Sequence, residues 1–360
     1  MPSPVPNAAD KSAYAAAGVD IDAGDRAVEL MKEWVAKACR PEVIGGIGGF
    51  AGLFDASALA QRRHPVLATS TDGVGTKVAI AQALDRHDTV GFDLVGMVVD
   101  DLVVCGAEPL FMTDYIACGR VDPERIAAIV QGIAMACSEA GCALLGGETA
   151  EHPGLLRPDE YDLAGAATGV VERDAILGPE RVVAGDVVVA MASSGLHSNG
   201  YSLVRHVLRT SGWGLDRYVS ELGRPLGDEL LAPTRIYARD CLAVAAETGV
   251  RTFAHITGGG LARNLERVLP AGVEAVVERG SWTPAPVFGL IATRGRVERA
   301  EMEKTFNMGV GMVAVVAPED TDRALAILTA RHLHCWTLGT VNKGGKDGPR
   351  AQLVGRHPRF

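Results

Sequence analysis

LFMTDYIACGRVDPERIAAIVQGIAMACSEAGCALL (110–145) holds an apolar run, a capped helix and a second apolar run in direct succession. Asp122 followed by Pro123 is an N-cap with proline at the first helical position. Ile126, Ile129, Val130, Ile133 and Cys137 then recur on one helical face, and Gly141 supplies the stop. The flanking runs Leu110–Ala117 and Ala143–Leu145 read as strands. Strand, helix and strand in this order define an α/β layer architecture. The short apolar runs Pro65–Thr69, Val90–Val104 and Ala164–Val171 extend it as further strands. Upstream, Ala27, Leu30, Met31, Trp34, Val35 and Ala38 are spaced as one face of a helix that Arg40-Pro41 ends.

The chain has 360 residues, more than one core usually holds, so two domains are expected. The charged, Gly/Pro-punctuated stretch VERDAILGPERVVAGD (171–186) reads as the connection, with the boundary near 172. The second unit opens with a strand at Val187–Ala192. A Ser/Gly/Asn loop follows, then the helical pattern Leu203, Val204, Val207, Leu208, a helix from about Pro233 to Thr248, and a strand at Val310–Val316. The resulting division is 1–40 tail and helix, 41–172 first domain, 173–345 second domain, and 346–360 a basic, Gly-rich tail expected to be loosely ordered.

Apolar residues make up 48% and charged residues 22%, a globular composition that excludes general disorder. The net charge of −9 opposes nucleic acid and anionic membrane, so neither is an expected partner. No apolar run reaches the ~20 residues that span a bilayer. MPSPVPNAADKSAYAAAG (1–18) lacks the basic and apolar regions of a secretory signal, and a cytoplasmic location is expected. Seven cysteines form no CxxC pair, which points to reduced thiols and neither disulfides nor zinc. With 43 glycines in 360 residues, against an average near 7%, backbone N–H groups are the available means of holding a phosphorylated ligand.

Four motifs supply that means. Gly45, Gly46, Gly48 and Gly49 in VIGGIGGFAGLF (43–54) leave backbone open to phosphate oxygens. TSTDGVGTK (69–77) follows a strand with hydroxyls, the carboxylate of Asp72, Gly73, Thr76 and Lys77, the parts for Mg²⁺ and a polyphosphate, although no Walker A pattern is present. Acids recur in apolar surroundings: Asp93, the pair Asp100-Asp101, and Glu148 with Glu151. A buried carboxylate needs a partner or a cation. ASSGLHSNGY (192–201) lies between strand and helix, where loop donors and the helix dipole favour an anion, and HITGGG (255–260) is a weaker second instance. Neither G-x-S-x-G nor H-E-x-x-H occurs, and the remaining His and Cys positions form no nucleophilic dyad.

Taken in order, AAGVDIDAG (16–24), RPEVIGGIGGF (40–50), TDGVGTK (71–77), DLVVCGAEPLF (101–111), GGETAEHPG (146–154), SSGLHSNGYSLVR (193–205), LLAPTRIY (230–237), HITGGG (255–260) and TFNMGVGM (305–312) closely resemble the phosphoribosylformylglycinamidine cyclo-ligases, over about residues 14–340. The resemblance implies ATP-dependent ring closure of formylglycinamidine ribonucleotide to aminoimidazole ribonucleotide in purine biosynthesis. It implies an α/β (α+β) fold in two domains: an N-terminal domain whose mixed sheet pairs with a second subunit of a homodimer to form a barrel, and a C-terminal α/β domain. It places ATP at Gly45, Gly46, Gly48, Gly49, Asp72, Gly73, Thr76, Lys77, Asp101 and Glu148, with Mg²⁺ on Asp72 and Asp101. Substrate falls to Ser193, Ser194, Gly195, His197, Ser198, Asn199, Gly258 and Gly259, and the catalytic candidates are His197, Lys77 and Asp93. Residues 43–54 lack the reactive cysteine usual in the related selenophosphate synthetases. His255 stands where that superfamily often has a metal-binding Asp, and His152 where many cyclo-ligases have Met. A kinase for another small molecule and a non-catalytic nucleotide sensor are the rival readings.

Overall fold

The computed structural model describes residues 19–46, 48–345, 348 and 350–359. The Pro/Ala-rich N-terminus through residue 18, and positions 346, 347, 349 and 360 of the tail, lie outside the described residues. A four-stranded mixed sheet is built from β1 (Pro65–Gly73), β2 (Glu108–Cys118), β3 (Ala143–Glu151) and β4 (Tyr161–Glu172), in the order β1-β4-β2-β3. Only the β2–β3 ladder is parallel. The second sheet contains β5 (Val187–Ala192), β6 (Thr252–His255), β7 (Val273–Glu278), β8 (Val310–Val316), β9 (Cys335–Lys343) and β10 (Arg350–Val354), in the order β6-β8-β5-β9-β7-β10.

Helices α1 (Ile21–Lys37), α2 (Val78–Leu84), α3 (Val90–Val103) and α4 (Pro123–Ala140) belong to the first unit. α4 has its expected ends. The Asp122 carboxylate accepts from the Arg125 N–H at 3.0 Å, and Gly141 closes the helix at φ +77°. α1 starts on Asp20, whose carboxylate accepts from the Ala23 N–H, and buries the expected face of Ala27, Met31, Trp34, Val35 and Ala38, with Leu30 alone left outside it at 40% exposure. α3 corrects the reading of Val90–Val104 as a strand. All of its residues except Phe92 and Asp101 are buried. A helix enclosed on every side loses the polar stripe that gives a helix its period, and its apolar text then imitates a buried strand.

The enclosure of α3 has two halves. One face packs on the first sheet and on α4; the opposite face, Asp93, Gly96, Met97 and Asp100, meets the second unit. Thr234 and Ile236 lie directly over Gly96. Thr234 and Tyr237 donate their backbone N–H groups to the carboxylates of Asp93 and Asp100. With those N–H groups committed to side chains of α3, the helix expected from about Pro233 begins at Ala238 (α5, Ala238–Glu247). The C-terminal segment departs from expectation as well, because Arg350–Val354 runs parallel to β7 as the edge strand of the second sheet. All seven cysteines are free, and among the described residues no helix is long and apolar enough to cross a membrane.

The other face of the first sheet is open: Leu67 is 61% and Tyr115 41% exposed, and Thr69, Thr71 and Thr113 are exposed beside them. The covered face depends on backbone proximity. A Cβ on Gly132 of α4 would fall 2.1 Å from the Asp88 carbonyl oxygen, and one on Gly91 of α3 would fall 2.1 Å from the Ile133 nitrogen. Gly132→Ala should therefore force the α3–α4 contact apart and cost about 1–3 kcal/mol. The check is urea unfolding, in which the midpoint should fall while the slope stays at the wild-type value.

Candidate active site

β1 ends in Asp72 and Gly73, and the chain turns through Val74–Thr76 into α2. Facing this turn is the second unit's loop between β5 and α6 (Tyr201–Ser211), together with Thr257 and Gly258 after β6. The space between them is a cleft of about 510 Å³ lined by Asp72, Gly73, Gly75, Asp162, Ser198, Asn199, Thr257 and Gly258. The walls are stitched at one end. Ser198 Oγ donates to the Val74 carbonyl at 2.6 Å, and the Thr76 and Ser202 hydroxyls are 3.1 Å apart.

On the first wall, Asp72 is half-buried and its Oδ1 accepts from the Gly73 N–H at 2.7 Å. Burial pushes its carboxyl above the usual range, the Gly73 N–H opposes this, the Asp101 charge adds to the rise and His255 reduces it. Asp101 sits at the C-terminal end of α3 and bonds His255 Nδ1 at 2.9 Å, while the buried His255 Nε2 has no partner. Burial lowers the imidazole's affinity for a proton, but the Asp101 bond and the charges of Asp100, Asp101 and Asp72 outweigh it, and the His255 pKa is raised on balance. Asp100, fully buried, is pushed up to about 7 chiefly by burial. Asp101 and His255 also line an adjoining cavity of about 370 Å³ with Ser70, Asn264 and Arg267. Among the described residues no three His, Cys, Asp or Glu side chains converge to hold a metal.

The second wall is a loop held from behind. Ser193 Oγ donates to the Gly195 carbonyl, which also accepts from Asn307 Nδ2, and Ser194 Oγ donates to the Pro233 carbonyl at 2.6 Å. The serine hydroxyls are thus committed to protein carbonyls. By contrast, the backbone N–H groups of His197, Ser198, Asn199 and Gly200 meet no acceptor among the described residues. Gly195 (φ +145°), His197 (φ +59°) and Gly200 (φ +80°) give the loop its reversals. A Cβ at Gly200 would collide with Phe306 at 2.3 Å. The loop leads into an eleven-residue helix, and open N–H groups at a helix start favour an anion. At HITGGG, Gly258 reaches the cleft but Gly259 does not line it. The helix that follows, Gly260–Glu266, is short, and Asn264 Nδ2 ties its entry by bonding the carbonyls of Thr257, Gly258 and Gly260.

Three candidates occupy other places than the motifs imply. Lys77 and Asp93 are wholly buried and bonded to each other at 2.7 Å, so Lys77 offers no free donor to a phosphate. Burial pushes the ammonium's pKa down and the carboxyl's up, each opposed by the partner's charge. His197 is 2% exposed, with Nε2 accepting from the Ser194 N–H at 3.1 Å and the ring packed over Gly311. Gly45, Gly46, Gly48, Gly49 and Glu148 lie elsewhere again, at the β3 edge, lining a cavity of about 660 Å³ and its neighbour with Asp114 and Leu145. Asp114 there is pushed up to about 7 by burial. Register gives the separation: Gly73 pairs with Ala164, Ala164 with Tyr115, and Tyr115 with Glu148. Gly73 and Glu148 thus stand at opposite edges of one sheet, three strand spacings or about 14 Å apart. Asp162, Thr257 and Asn264 are not among the ligands that the sequence singles out. Asp162 carries no sequence signal beyond a polar residue at a strand start.

Two family models match, described as AIR synthase related protein, N-terminal domain (residues 54–171) and C-terminal domain (residues 183–352). The phosphoribosylformylglycinamidine cyclo-ligase of Geobacillus kaustophilus is 54% identical over 333 residues, covering 92% of this chain and 96% of its own. That of Myxococcus xanthus is 52% identical over 332 residues, covering 92% and 96%. Among solved structures, thiamine-monophosphate kinase from Stenotrophomonas maltophilia superposes with TM-score 0.67 at 19% identity, covering 90% of this chain and 95% of that one. Hydrogenase maturation protein HypE in complex with ATP does so with TM-score 0.61 at 16% identity, covering 91% of each. These two show the shared fold.

The environment of His197 has a measurable consequence. Burial, then the charges of His255, Lys77 and Arg235, hold its pKa well below 6.5. Since Nε2 accepts the Ser194 N–H, the proton sits on Nδ1. The unfolded chain takes up a proton here near pH 6.5 and the folded chain does not, so His197 lowers stability as pH falls below that value. ¹⁵N NMR should find the Nδ1–H tautomer of one histidine persisting at pH values where the exposed ones are half protonated, and His197→Gln should lose that signal.

Proposed function

The chain belongs to the phosphoribosylformylglycinamidine cyclo-ligase family, ATP-dependent ligases of purine biosynthesis, and from that premise we propose how its residues divide the work. It closes the imidazole ring of formylglycinamidine ribonucleotide, giving aminoimidazole ribonucleotide, ADP and phosphate. The observation that carries the assignment of residues is the cleft itself, with carboxylate and glycine backbone on one wall and open N–H groups on the other. ATP phosphates belong on the Asp72, Gly73 and Thr76 side; the substrate's 5′-phosphate belongs on the N–H groups of 197–200, in the loop Ser193–Asn199, with Gly258 beside it.

In this arrangement the formyl amide oxygen attacks the γ-phosphorus. An O–P bond forms as the bond to the bridging oxygen of ADP breaks. The amidine nitrogen then attacks the activated carbon, the C–N bond forms and phosphate departs. Positioning and electrostatic stabilisation suffice for such steps, which accords with a site containing no activated nucleophile. Mg²⁺ fits the donor set, because it takes one or two carboxylates plus phosphate and water oxygens, and Asp72 and Asp101 are carboxylates close enough to perturb one another. Bound there, it would neutralise charge on the transferring phosphoryl group.

The glycine loop and Glu148 need a second copy of the chain to reach this cleft. In this reading each sheet edge carries half of the nucleotide site, and the open sheet face with Leu67 and Tyr115 has no cover among the described residues. A two-fold homodimer that sets the β1 edge of one protomer against the β3 edge of the other would close the two sheets into a barrel and unite the halves. Residues 41–172 then serve nucleotide and dimer, 173–345 the substrate, with 1–40 and 346–360 flanking them. The cytoplasm is the proposed location, in keeping with free cysteines.

Asp72→Asn and Asp101→Asn should each lower ADP release by about 10²-fold or more, with formylglycinamidine ribonucleotide as the sole varied substrate, and leave the unfolding midpoint in place. Near wild-type rates at limiting Mg²⁺ would remove the cation site. ADP release driven by a different small molecule would instead favour a kinase.

The dimer is tested by complementation. Gly48 (φ +104°) tolerates no side chain without strain, so Gly48→Val and Asp72→Asn should each be inactive alone. Mixed under subunit exchange, they should regain about a quarter of wild-type turnover, since half the dimers are hybrid and each hybrid has one intact site. No recovery, or a monomer by light scattering at micromolar concentration, excludes the arrangement.

A further inference from the structure

Lys77 and Asp93 have no exposed side-chain surface, and neither lines the cleft. Lys77 Nζ has three protons and three acceptors: Asp93 Oδ1 at 2.7 Å, the Ala232 carbonyl at 2.7 Å and the His197 carbonyl at 3.0 Å. Asp93 Oδ1 also accepts from the Thr234 N–H at 3.0 Å and the Thr234 hydroxyl at 2.6 Å. Lys77 and Asp93 come from the first unit; His197, Ala232 and Thr234 come from the second. The carbonyl that Lys77 holds belongs to a residue at φ +59°, the left-handed region that a non-glycine side chain occupies only under constraint. The His197 ring, from the other side, accepts the Ser194 N–H.

We propose that the buried Lys77–Asp93 pair is a positioning device that sets the loop Ser193–Asn199 at a fixed height above the Asp72 wall. It acts on the reaction through that loop and touches neither substrate. The loop's reversal at His197 precedes Ser198 and Asn199, which line the cleft, and the Lys77 bond to the His197 carbonyl fixes that reversal. Ser198 Oγ on Val74 carries the same registration to the strand end that bears Asp72. A displacement near 1 Å between two reactants costs about 10²-fold in rate, so a latch of this kind has a catalytic effect without contact. The inference rests on the reading of the loop as the substrate's phosphate site.

Lys77→Met alone strands a buried carboxylate and is expected to fold poorly. The informative variant is Lys77→Met with Asp93→Leu, in which an apolar pair of similar volume replaces the ions. Expected is a lowered unfolding midpoint, because the carbonyls of His197 and Ala232 and the N–H and hydroxyl of Thr234 lose their partners, with amide exchange accelerated selectively at the bonded N–H groups of Ser193 and Ser194 but not at 143–151, and kcat/KM for formylglycinamidine ribonucleotide reduced about 10- to 100-fold. Thr234→Val, which keeps the pair and removes one bond to Asp93, should give a smaller effect of the same pattern. Exchange is measured on the protein without substrate, so its outcome stands even if the loop binds something else. Wild-type exchange and wild-type kcat/KM in the double variant would reduce the pair to core filling. Lost turnover with unchanged loop exchange would mean that Lys77 or Asp93 meets the reacting groups directly. Should the double variant not fold, Thr234→Val decides alone: global destabilisation without selective exchange at Ser193 and Ser194 overturns the proposal.

Discussion

A carboxylate taken out of water costs several kcal/mol unless donors replace its hydration, and α3 takes two of them into the middle of the molecule. Asp93 and Asp100 lie two turns apart on the face of α3 turned from its own sheet, and their donors are Lys77 and the backbone of Thr234 and Tyr237. Much of the remaining structure follows from that demand. The N–H groups of Thr234 and Tyr237 are committed to these carboxylates, and the helix after them starts at Ala238. Lys77, drawn inward to Asp93, is left with two further protons, and these fix Ala232 and the turn at His197. Breaking one partner would leave an uncompensated buried charge, so these bonds tie the two units together beside the apolar core that they share.

What the sequence made legible divides along the same line. Elements whose signals are local were read correctly: the capped α4, the strand Val187–Ala192, the strand Val310–Val316. α3 was not, because enclosure between two units is a tertiary fact that erases the helical period. The C-terminal strand was missed because glycines and charges at 344–350 read as a loose tail, whereas pairing with β7 is decided by the sheet. For the site, Asp72, Ser198 and Asn199 were named and do face one cleft. The glycine loop was grouped with them because 45–49 precedes 72 closely in the chain. Strand order puts β1 and β3 at opposite edges, and no pattern in one chain reveals that permutation. Lys77 and His197 were read as ligands for their residue types, but a type says nothing of direction, and both point into the protein.

The paired carboxylates Asp72 and Asp101 illustrate a balance that the fold leaves unsettled by itself. Burial and mutual repulsion raise the Asp72 carboxyl, and the same two charges raise His255. One cluster therefore holds excess negative charge with an imidazole as its internal counter-charge. A hard cation bound between the two carboxylates would relieve the same repulsion.

A chain of net charge −9 has to hold two phosphorylated substrates. Its basic side chains near the seam are used as internal struts: Lys77 as described, and Arg40 on the carbonyls of Pro109 and Gly141 with Glu42 beside it. A fixed lysine at the phosphate would hold product as firmly as substrate. Backbone N–H groups at a helix entry place positive potential at a phosphate without a charged side chain. The glycines that outnumber either basic residue are the structural cost of that choice, since a backbone that approaches phosphate cannot carry side chains in between.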